Sequence, residues 1–262
     1  MTDTIEAVTL ERDGGAIECF VVPWDTAIFG FPVAEITGIE LGAGDRANGL
    51  LADLDAWCAD HRIRLVSCRL DHTKLRESMA LEALGFRFVE MVHQPQLDDL
   101  SGVDAPARAI TVDVAGRDDL GAIEAIASDA FTTSRFLLDP RLDPDLGRRR
   151  YASWVRSSVD DPRQILLQAR IGEELVGFFI VEERPDRSVY WHLTAVAPGW
   201  QGRGIGRSLW QTMLLRHRAA GATSVRTTIS AHNEPVINLY ARLGFTFGSP
   251  RMTFHWLRET VG

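Results

Sequence analysis

The sequence predicts an α/β (α+β) fold: a mixed, mostly antiparallel sheet flanked by helices, arranged as two related halves. Three observations predict it. "LEALGFRFVEM" (Leu81 to Met91) and "YARLGFTFGSP" (Tyr240 to Pro250) share a helix end, Leu-Gly-Phe, and then a strand-like alternation. Upstream of each lies a helix-like segment and a strand, "GLLADLDAWCADH" then "IRLVSCRL" in the first half, and "GRSLWQTMLLRHRAAG" then "SVRTTIS" in the second. In the second half helices alternate with strands, and several strands follow one another directly, as antiparallel neighbours do.

Each element has a local cause. Gly85 and Gly244 suit the left-handed position that ends a helix, and Phe86 and Phe245 return the chain to a core. Between the halves, "QPQLDDLSGVDAPAR" (Gln94 to Arg108) has prolines, aspartates and no periodicity, which suits a linker. The predicted domains are therefore 1–100, a linker over 101–108, and 109–262. In the second domain "AITVDVA" reads as a strand. "RDDLGAIEAIASDAF" is acidic at its start and carries Leu120, Ile123, Ile126 and Ala127 on one helical face. After the arginine-rich "TTSRFLLDPRLDPDLGRRR" come a helix, "YASWVRSSV", and three strands, "QILLQARI", "ELVGFFIVEE" and "SVYWHLTAVAP". Ile205, Leu209 and Met213 repeat every four residues in the next helix, and Gly221 is its stop. His217 continues that apolar line and is assigned to packing. A strand, a helix over Pro235 to Leu243 and a last strand at "RMTFHWLRE" finish the chain.

Composition excludes several function classes. The 262 residues are 45% hydrophobic and 24% charged, ordinary for a globular protein. A net charge of -8 argues against nucleic acid or an anionic membrane as partner, because both need a basic surface. The first residues lack a positive stretch followed by an apolar run, and no run approaches the ~18 residues of a membrane span, so a cytoplasmic protein is expected. Cys19, Cys58 and Cys68 lack metal-like spacing and read as buried reduced thiols, with no metal site expected.

The stretch "PGWQGRGIGRSLW" (Pro198 to Trp210) joins a strand to a helix and is rich in glycine. Such a turn exposes backbone N–H groups at the positive end of a helix dipole, which suits a phosphate. A dinucleotide fingerprint beginning at Gly202 needs glycine at 207, where Arg207 stands. A Walker A loop needs glycine at 201 and lysine at 207, where Gln201 and Arg207 stand. Gln-x-x-Gly-x-Gly fits, filled by Gln201, Gly204 and Gly206.

With "LTAVAP" before it and "SAHNEPVINLYARLGF" after it, this motif resembles the GCN5-related N-acetyltransferase (GNAT) superfamily over about Ala109 to Arg258. The resemblance implies a GNAT fold with acetyl-CoA as co-substrate. It implies that Gln201, Gly202, Arg203, Gly204, Ile205 and Gly206 hold the pyrophosphate, that Ala195 and Val196 meet the pantetheine, and that Asn233 contacts the co-substrate, the alternative for Asn233, just ahead of Pro235, being a helix-entry residue. It also implies that the first half, with Leu81 where the second has Tyr240 and "IELGAGDRANGL" in place of the glycine motif, is a degenerate GNAT-like lobe.

Acetyl transfer needs a neutral amine, a stabilised oxyanion and a proton for the departing thiolate. Tyr240, seven residues after Asn233, is the candidate acid, a phenol of pKa ~10 facing a thiolate of similar basicity. As Val236, Tyr240 and Leu243 share a helical face, a core aromatic is the alternative. Glu182 and Glu183 are candidate bases. Strand alternation turns only one of them to a cleft, and the sequence leaves open which. His192 on the neighbouring strand titrates in the right range or is structural. Backbone N–H near Val196 is the expected oxyanion donor.

"WDTAIFGFPVAEI" (Trp24 to Ile36), "LEALGF" and Ala130 to Val159 together resemble the bacterial dTDP-fucosamine acetyltransferase group. That resemblance implies an acceptor amine on a dTDP-linked 4-amino-4,6-dideoxygalactose. Ser134, Arg135 and Phe136 offer a polar contact, a phosphate partner and a stacking face to such a nucleotide-sugar, or form a surface loop whose phenylalanine plugs the core. The expected partner is thus a small-molecule amine, with no nucleic acid and no membrane, and a homodimer is left open. Another small amine (aminoglycoside, polyamine or amino acid) and a non-catalytic acyl-CoA sensor are the alternatives.

Overall fold

The computed structural model describes residues 7–42 and 47–258, which divide into two compact units. Of the described residues, unit 1 comprises 7–42, 47–92 and 249–258, and unit 2 comprises 93–248.

Unit 1 runs β1 (Val8–Arg12), β2 (Gly15–Val21), α1 (Pro23–Phe29), β3 (Val33–Glu40), α2 (Ala47–Asp60), β4 (Leu65–Asp71), α3 (Leu75–Ala83) and β5 (Arg87–His93). Unit 2 follows with β6 (Pro95–Leu97), β7 (Thr111–Val114), α4 (Leu120–Ala130), α5 (Arg135–Leu138), α6 (Pro144–Ser158), β8 (Ile165–Ile171), β9 (Glu174–Glu183) and β10 (Ser188–Val196). It continues with α7 (Ile205–Ala219), β11 (Ser224–Thr227), β12 (Ile229–Ser230), α8 (Glu234–Arg242) and β13 (Thr246–Phe247). The last strand, β14 (Arg251–Leu257), returns to unit 1.

In unit 1 the strands lie in the order β1-β2-β3-β4-β14-β5, with β14 antiparallel to both neighbours. In unit 2 the order is β13-β6-β11-β10-β9-β8-β7. The boundaries therefore differ from those expected of the sequence. The segment 94–108 is not a free linker: β6 pairs with β11 and β13, and Leu97, Leu100 and Val103 pack into the unit 2 core. Likewise "RMTFHWLRE" does not close the second half, because Phe254 fills the unit 1 core beside Cys68 and Leu70. Strand pairing overrides chain order here, and local sequence carries no sign of it.

Each sheet has a helical cover built from the expected apolar faces. Ile205, Leu209 and Met213 of α7 are buried against Phe179, Val181 and Trp191 of β9 and β10. On the opposite face Ile123, Ile126 and Ala127 of α4 and Tyr151 and Val155 of α6 cover Phe178, Ile180 and Leu193. Gly85, Gly221 and Gly244 all have positive φ, as their helix-ending role requires. The three cysteines are buried and unpaired in unit 1, and burial pushes the thiols up to about 11 at Cys19 and about 12 at Cys58 and Cys68.

The internal duplication extends to register. β3 pairs in parallel with β4 over four residues, Val33 with Leu65 to Ile36 with Cys68, and the next residue, Thr37, is extruded as a bulge against β2. β10 pairs in parallel with β11 over four residues, Ser188 with Ser224 to Trp191 with Thr227, and the next residue, His192, is extruded against β9. Lys74 and Asn233 each cap the following helix, and Leu81 and Tyr240 are each buried within it. The connection in unit 1 that corresponds to the glycine-rich loop includes residues 43–46, which lie outside the described residues. Among the described residues no helix is long and apolar enough to cross a membrane.

Candidate functional site

The site begins where β10 loses a partner. Parallel pairing with β11 stops at Trp191 and Thr227, while pairing with β9 continues through Val196. Ala197 N–H donates to Val176 O at 2.8 Å, so the antiparallel alternation turns the polar backbone of Leu193 and Ala195 toward β9. The N–H and C=O groups of Thr194 and Val196 then face the side that β11 has left. Val196, named from the sequence, presents its backbone there. Ala195 does not, and it is 5% exposed.

The bulge sets which side chains flank this gap. Without it, period-2 alternation would continue from Trp191, and Thr194 would share a face with α6. With His192 inserted, His192 and Leu193 both lie on the α6 face and Thr194 turns to the α7 and α8 face. Gly177 is paired with Val196, and a Cβ on it would meet Ala195 O at 2.4 Å. Neither Gly177 nor Thr194 was singled out by sequence reasoning, since the bulge that makes them matter leaves no local motif.

The glycine-rich loop follows at the end of the gap. Gln201, Gly202, Arg203 and Gly204 are exposed, and Gln201 Nε2 donates to Val196 O at 3.1 Å, tying the loop to the strand. Gly202 has φ +71° and Gly204 φ +74°, left-handed conformations that favour glycine, and Gly204 is the residue before the first turn of α7. Ile205 is 1% exposed and anchors the helix start in the core, and Gly206 lies against Leu239. Arg203 stacks over Trp200 with its guanidinium carbon 5.2 Å from the ring centre. Asn233 caps α8 through its backbone, while its side chain makes no capping hydrogen bond.

Tyr240 is 1% exposed, so it is a core aromatic as well as a polar one. Its ring packs on Phe245 at 4.8 Å. Burial raises its pKa above the ordinary phenol value, and Trp210, Thr194 and Thr227 around the hydroxyl oppose that rise. Trp210 Nε1 itself completes no hydrogen bond. Since Thr227 is the last paired residue of β11 and Thr194 belongs to the unpaired edge of β10, the hydroxyl lies where the two strands diverge.

Across the sheet, Glu182 and His192 form a pair. His192 Nε2 and Glu182 Oε2 are 2.9 Å apart, and Arg184 Nε donates to Glu182 Oε1 at 3.4 Å. Glu183 alternates to the other face and is exposed, so the structure brings Glu182, and not Glu183, to the bulge. Burial lowers the His192 pKa, while the hydrogen bond and charge of Glu182 oppose the change. His217 is structural as expected: it accepts from Trp191 Nε1 at 3.0 Å, and burial pushes it down to about 4.

Of the acceptor candidates, Ser134 Oγ is buried and makes no hydrogen bond. Phe136 corrects one expectation, because it is 1% exposed and offers no free stacking face. The guanidiniums of Arg135 and Arg150 lie 4.8 and 4.7 Å from its ring centre, which makes it the core plug. Among the described residues no group of three or more His, Cys, Asp or Glu side chains is placed to hold a metal ion.

Residues 122–245, from α4 through Phe245, match the model of the acetyltransferase (GNAT) family. This segment is a GNAT acetyltransferase domain. The GNAT match lies within unit 2 and contains the β10–β11 gap, the glycine loop, Asn233 and Tyr240. Acetyl-CoA is the co-substrate of the GNAT family, and an unpaired strand edge leading to an exposed glycine-rich loop at a helix N-terminus fits its extended pantetheine and its pyrophosphate. SpsD, a spore coat polysaccharide biosynthesis protein of Bacillus subtilis, is 28% identical over 137 residues, covering 52% of this chain and 47% of its own. The mycothiol acetyltransferase of Frankia alni is 31% identical over 157 residues, covering 55% and 44%. The chain thus spans about half the length of these curated relatives. Two solved structures share the GNAT fold at low identity. A tandem GNAT protein from the clavulanic acid biosynthesis pathway gives a TM-score of 0.63 at 15% identity, covering 95% of this chain and 80% of that one. A GCN5-related N-acetyltransferase from Sphaerobacter thermophilus gives 0.63 at 17%, covering 92% and 76%.

Proposed function

We propose that the protein is an acetyl-CoA-dependent N-acetyltransferase whose acceptor is the amine of a nucleotide-linked amino sugar. The observation that carries the reading is the position of the Tyr240 hydroxyl, beside Thr194 and Thr227 where β10 and β11 part. When bound, acetyl-CoA supplies an activated acyl carbon with a thiolate leaving group.

The residues of this chain have the following roles in that reading. Gly202 and Gly204 aim loop N–H groups at the pyrophosphate, with Arg203 adding charge from the loop edge. Gln201 braces the loop against Val196 O, and the Val196 N–H donates to the oxygen that gains charge. Asn233 turns its side-chain amide to the co-substrate. Tyr240 gives its proton to the departing sulfur, and its raised pKa keeps that proton in place at neutral pH. Glu182 is the carboxylate assigned to the acceptor side.

The sugar acceptor is supported by the likeness of residues 24–36 and 130–159 to the dTDP-fucosamine acetyltransferase group and by the similarity to SpsD. Ser134 Oγ, buried and without a hydrogen bond, and the neighbouring Arg135 suit a hydroxyl and a phosphate of that acceptor. The mycothiol acetyltransferases favour a second reading, the same chemistry on a different small amine. Thiol release from acetyl-CoA across a panel of amines separates the two. Fastest release with dTDP-4-amino-4,6-dideoxy sugars is expected, and a preference for an amino acid, polyamine or aminoglycoside replaces the acceptor class.

A further inference from the structure

We propose that His192, the residue extruded at the β10 bulge, takes the proton from the acceptor amine, and that Glu182 acts through it by fixing its ring. The inference rests on the acetyltransferase reading and names the base within it.

Position is the first argument. His192 directly follows Trp191, the last residue of β10 paired with β11, and stands two residues before Thr194, whose hydroxyl neighbours Tyr240. Two strand residues span ~7 Å. The bulge turns His192 to the α6 face and Thr194 to the α8 face, so His192 and Tyr240 flank the gap from opposite sides of one strand. Amide formation uses two proton transfers at different atoms, nitrogen and sulfur, and this arrangement gives each atom its own group.

Orientation is the second argument. With Nε2–H donating to Glu182 Oε2 at 2.9 Å, Nδ1 of the neutral ring carries the lone pair that receives a proton. The Trp154 ring of α6 lies 6.0 Å from the imidazole and the Tyr190 ring 4.9 Å, holding its plane, while Tyr190 OH is engaged by Thr228 Oγ1 at 2.8 Å. The His192 side chain is 19% exposed and that of Glu182 27%, so an incoming amine can reach the pair.

The charged groups around the ring are Glu182 from β9, Arg184 beyond its end, and Asp161 between α6 and β8. Arg163 pairs with Asp161 at 3.1 Å. Burial and Arg184 favour the neutral ring that a base needs, and Glu182 and Asp161 stabilise the cation it becomes.

The protons balance. One leaves the ammonium for Nδ1 and passes on to solvent. The second leaves the same nitrogen as the N–C bond forms, and replaces the proton that Tyr240 gives to sulfur when the C–S bond breaks with its electron pair.

The test is the pH profile of kcat/KM, measured by acceptor-dependent thiol release with the full chain. Wild-type activity is expected to fall on the acid side as His192 protonates. His192→Gln should lower kcat by about 10²-fold or more and abolish that limb, with the KM for acetyl-CoA unchanged. Glu182→Gln removes a group that raises the His192 pKa, so its acid limb should move to lower pH. If His192→Gln does not fold, the Glu182→Gln shift decides. An acid limb that persists in His192→Gln, or that stays fixed in Glu182→Gln, overturns the assignment while leaving the acetyltransferase reading intact. Absence of acceptor-dependent release in the wild type overturns that reading instead.

Discussion

At Gly177 a single missing carbon keeps β9 close to β10. A Cβ there would meet Ala195 O at 2.4 Å and Leu209 Cδ2 at 3.0 Å, and neither the strand backbone nor a fully buried leucine can give way cheaply. Gly177→Ala should cost about 1–3 kcal/mol of stability and weaken acetyl-CoA binding, because the displaced atoms border the unpaired edge at Thr194 and Val196. Thermal unfolding and titration calorimetry check both effects, and a variant unchanged in each would show that the strand relaxes without cost. Gly177 could not be found from the sequence, where it is one glycine in an apolar strand. Gln201, Gly204, Gly206, Asn233 and Tyr240 stood out because their spacing resembles the GNAT pattern, and the structure places Gln201, Gly204 and Gly206 at the strand-to-helix turn and Asn233 and Tyr240 at the start and in the body of α8. The Glu182 or Glu183 ambiguity needed the bulge, a feature of strand pairing and not of composition.

At the scale of the element, α7 joins the loop to the core and carries a pH dependence. His217 ends the buried line of Ile205, Leu209 and Met213 and must stay neutral to accept from Trp191 Nε1. Its folded pKa is depressed to about 4, against ~6.5 in an unfolded chain. Between those values only the unfolded state binds the extra proton, so stability falls as pH drops through that window, by about 3 kcal/mol in all. Above ~6.5 this group adds no pH dependence. Urea unfolding at pH 7 and pH 5 should show the loss, and His217→Gln should flatten that part of the profile. Equal loss in His217→Gln would assign the effect to other groups. The helix itself was legible from its apolar period, as were α4, α8 and strands β8 to β11, because each buries one face; of α6 only the part from Tyr151 was, since the polar, arginine-rich turns from Pro144 read as irregular. The strands β6 and β14 were misplaced, because their partners lie far away in sequence.

For the whole molecule, the two units repeat one pattern of strand pairing and differ at the edge that follows the bulge. Unit 1 keeps the four-residue parallel pairing and the bulge, yet the backbone beyond its bulge is already engaged. Leu41 stands four residues after Thr37, as Val196 does after His192. Its N–H donates to Glu77 Oε1 at 3.4 Å, and its carbonyl accepts from Arg76 Nη1 at 3.4 Å. Side chains of α3 thus engage the edge whose counterpart in unit 2 is not paired with β11, and Leu81 supplies no hydroxyl. The expected stoichiometry by calorimetry is one acetyl-CoA per chain, and two equivalents would show that the Glu77 and Arg76 contacts yield. Transfer through the unit 2 gap is the proposed activity. It is tested most directly by measuring acceptor-dependent thiol release beside the acetyl-CoA Kd, in wild type and in Tyr240→Phe. Release is expected to depend on the amine and to fall by about 10²-fold in the variant at unchanged Kd. Tight acetyl-CoA binding without amine-dependent release, or equal turnover in the two proteins, would contradict it.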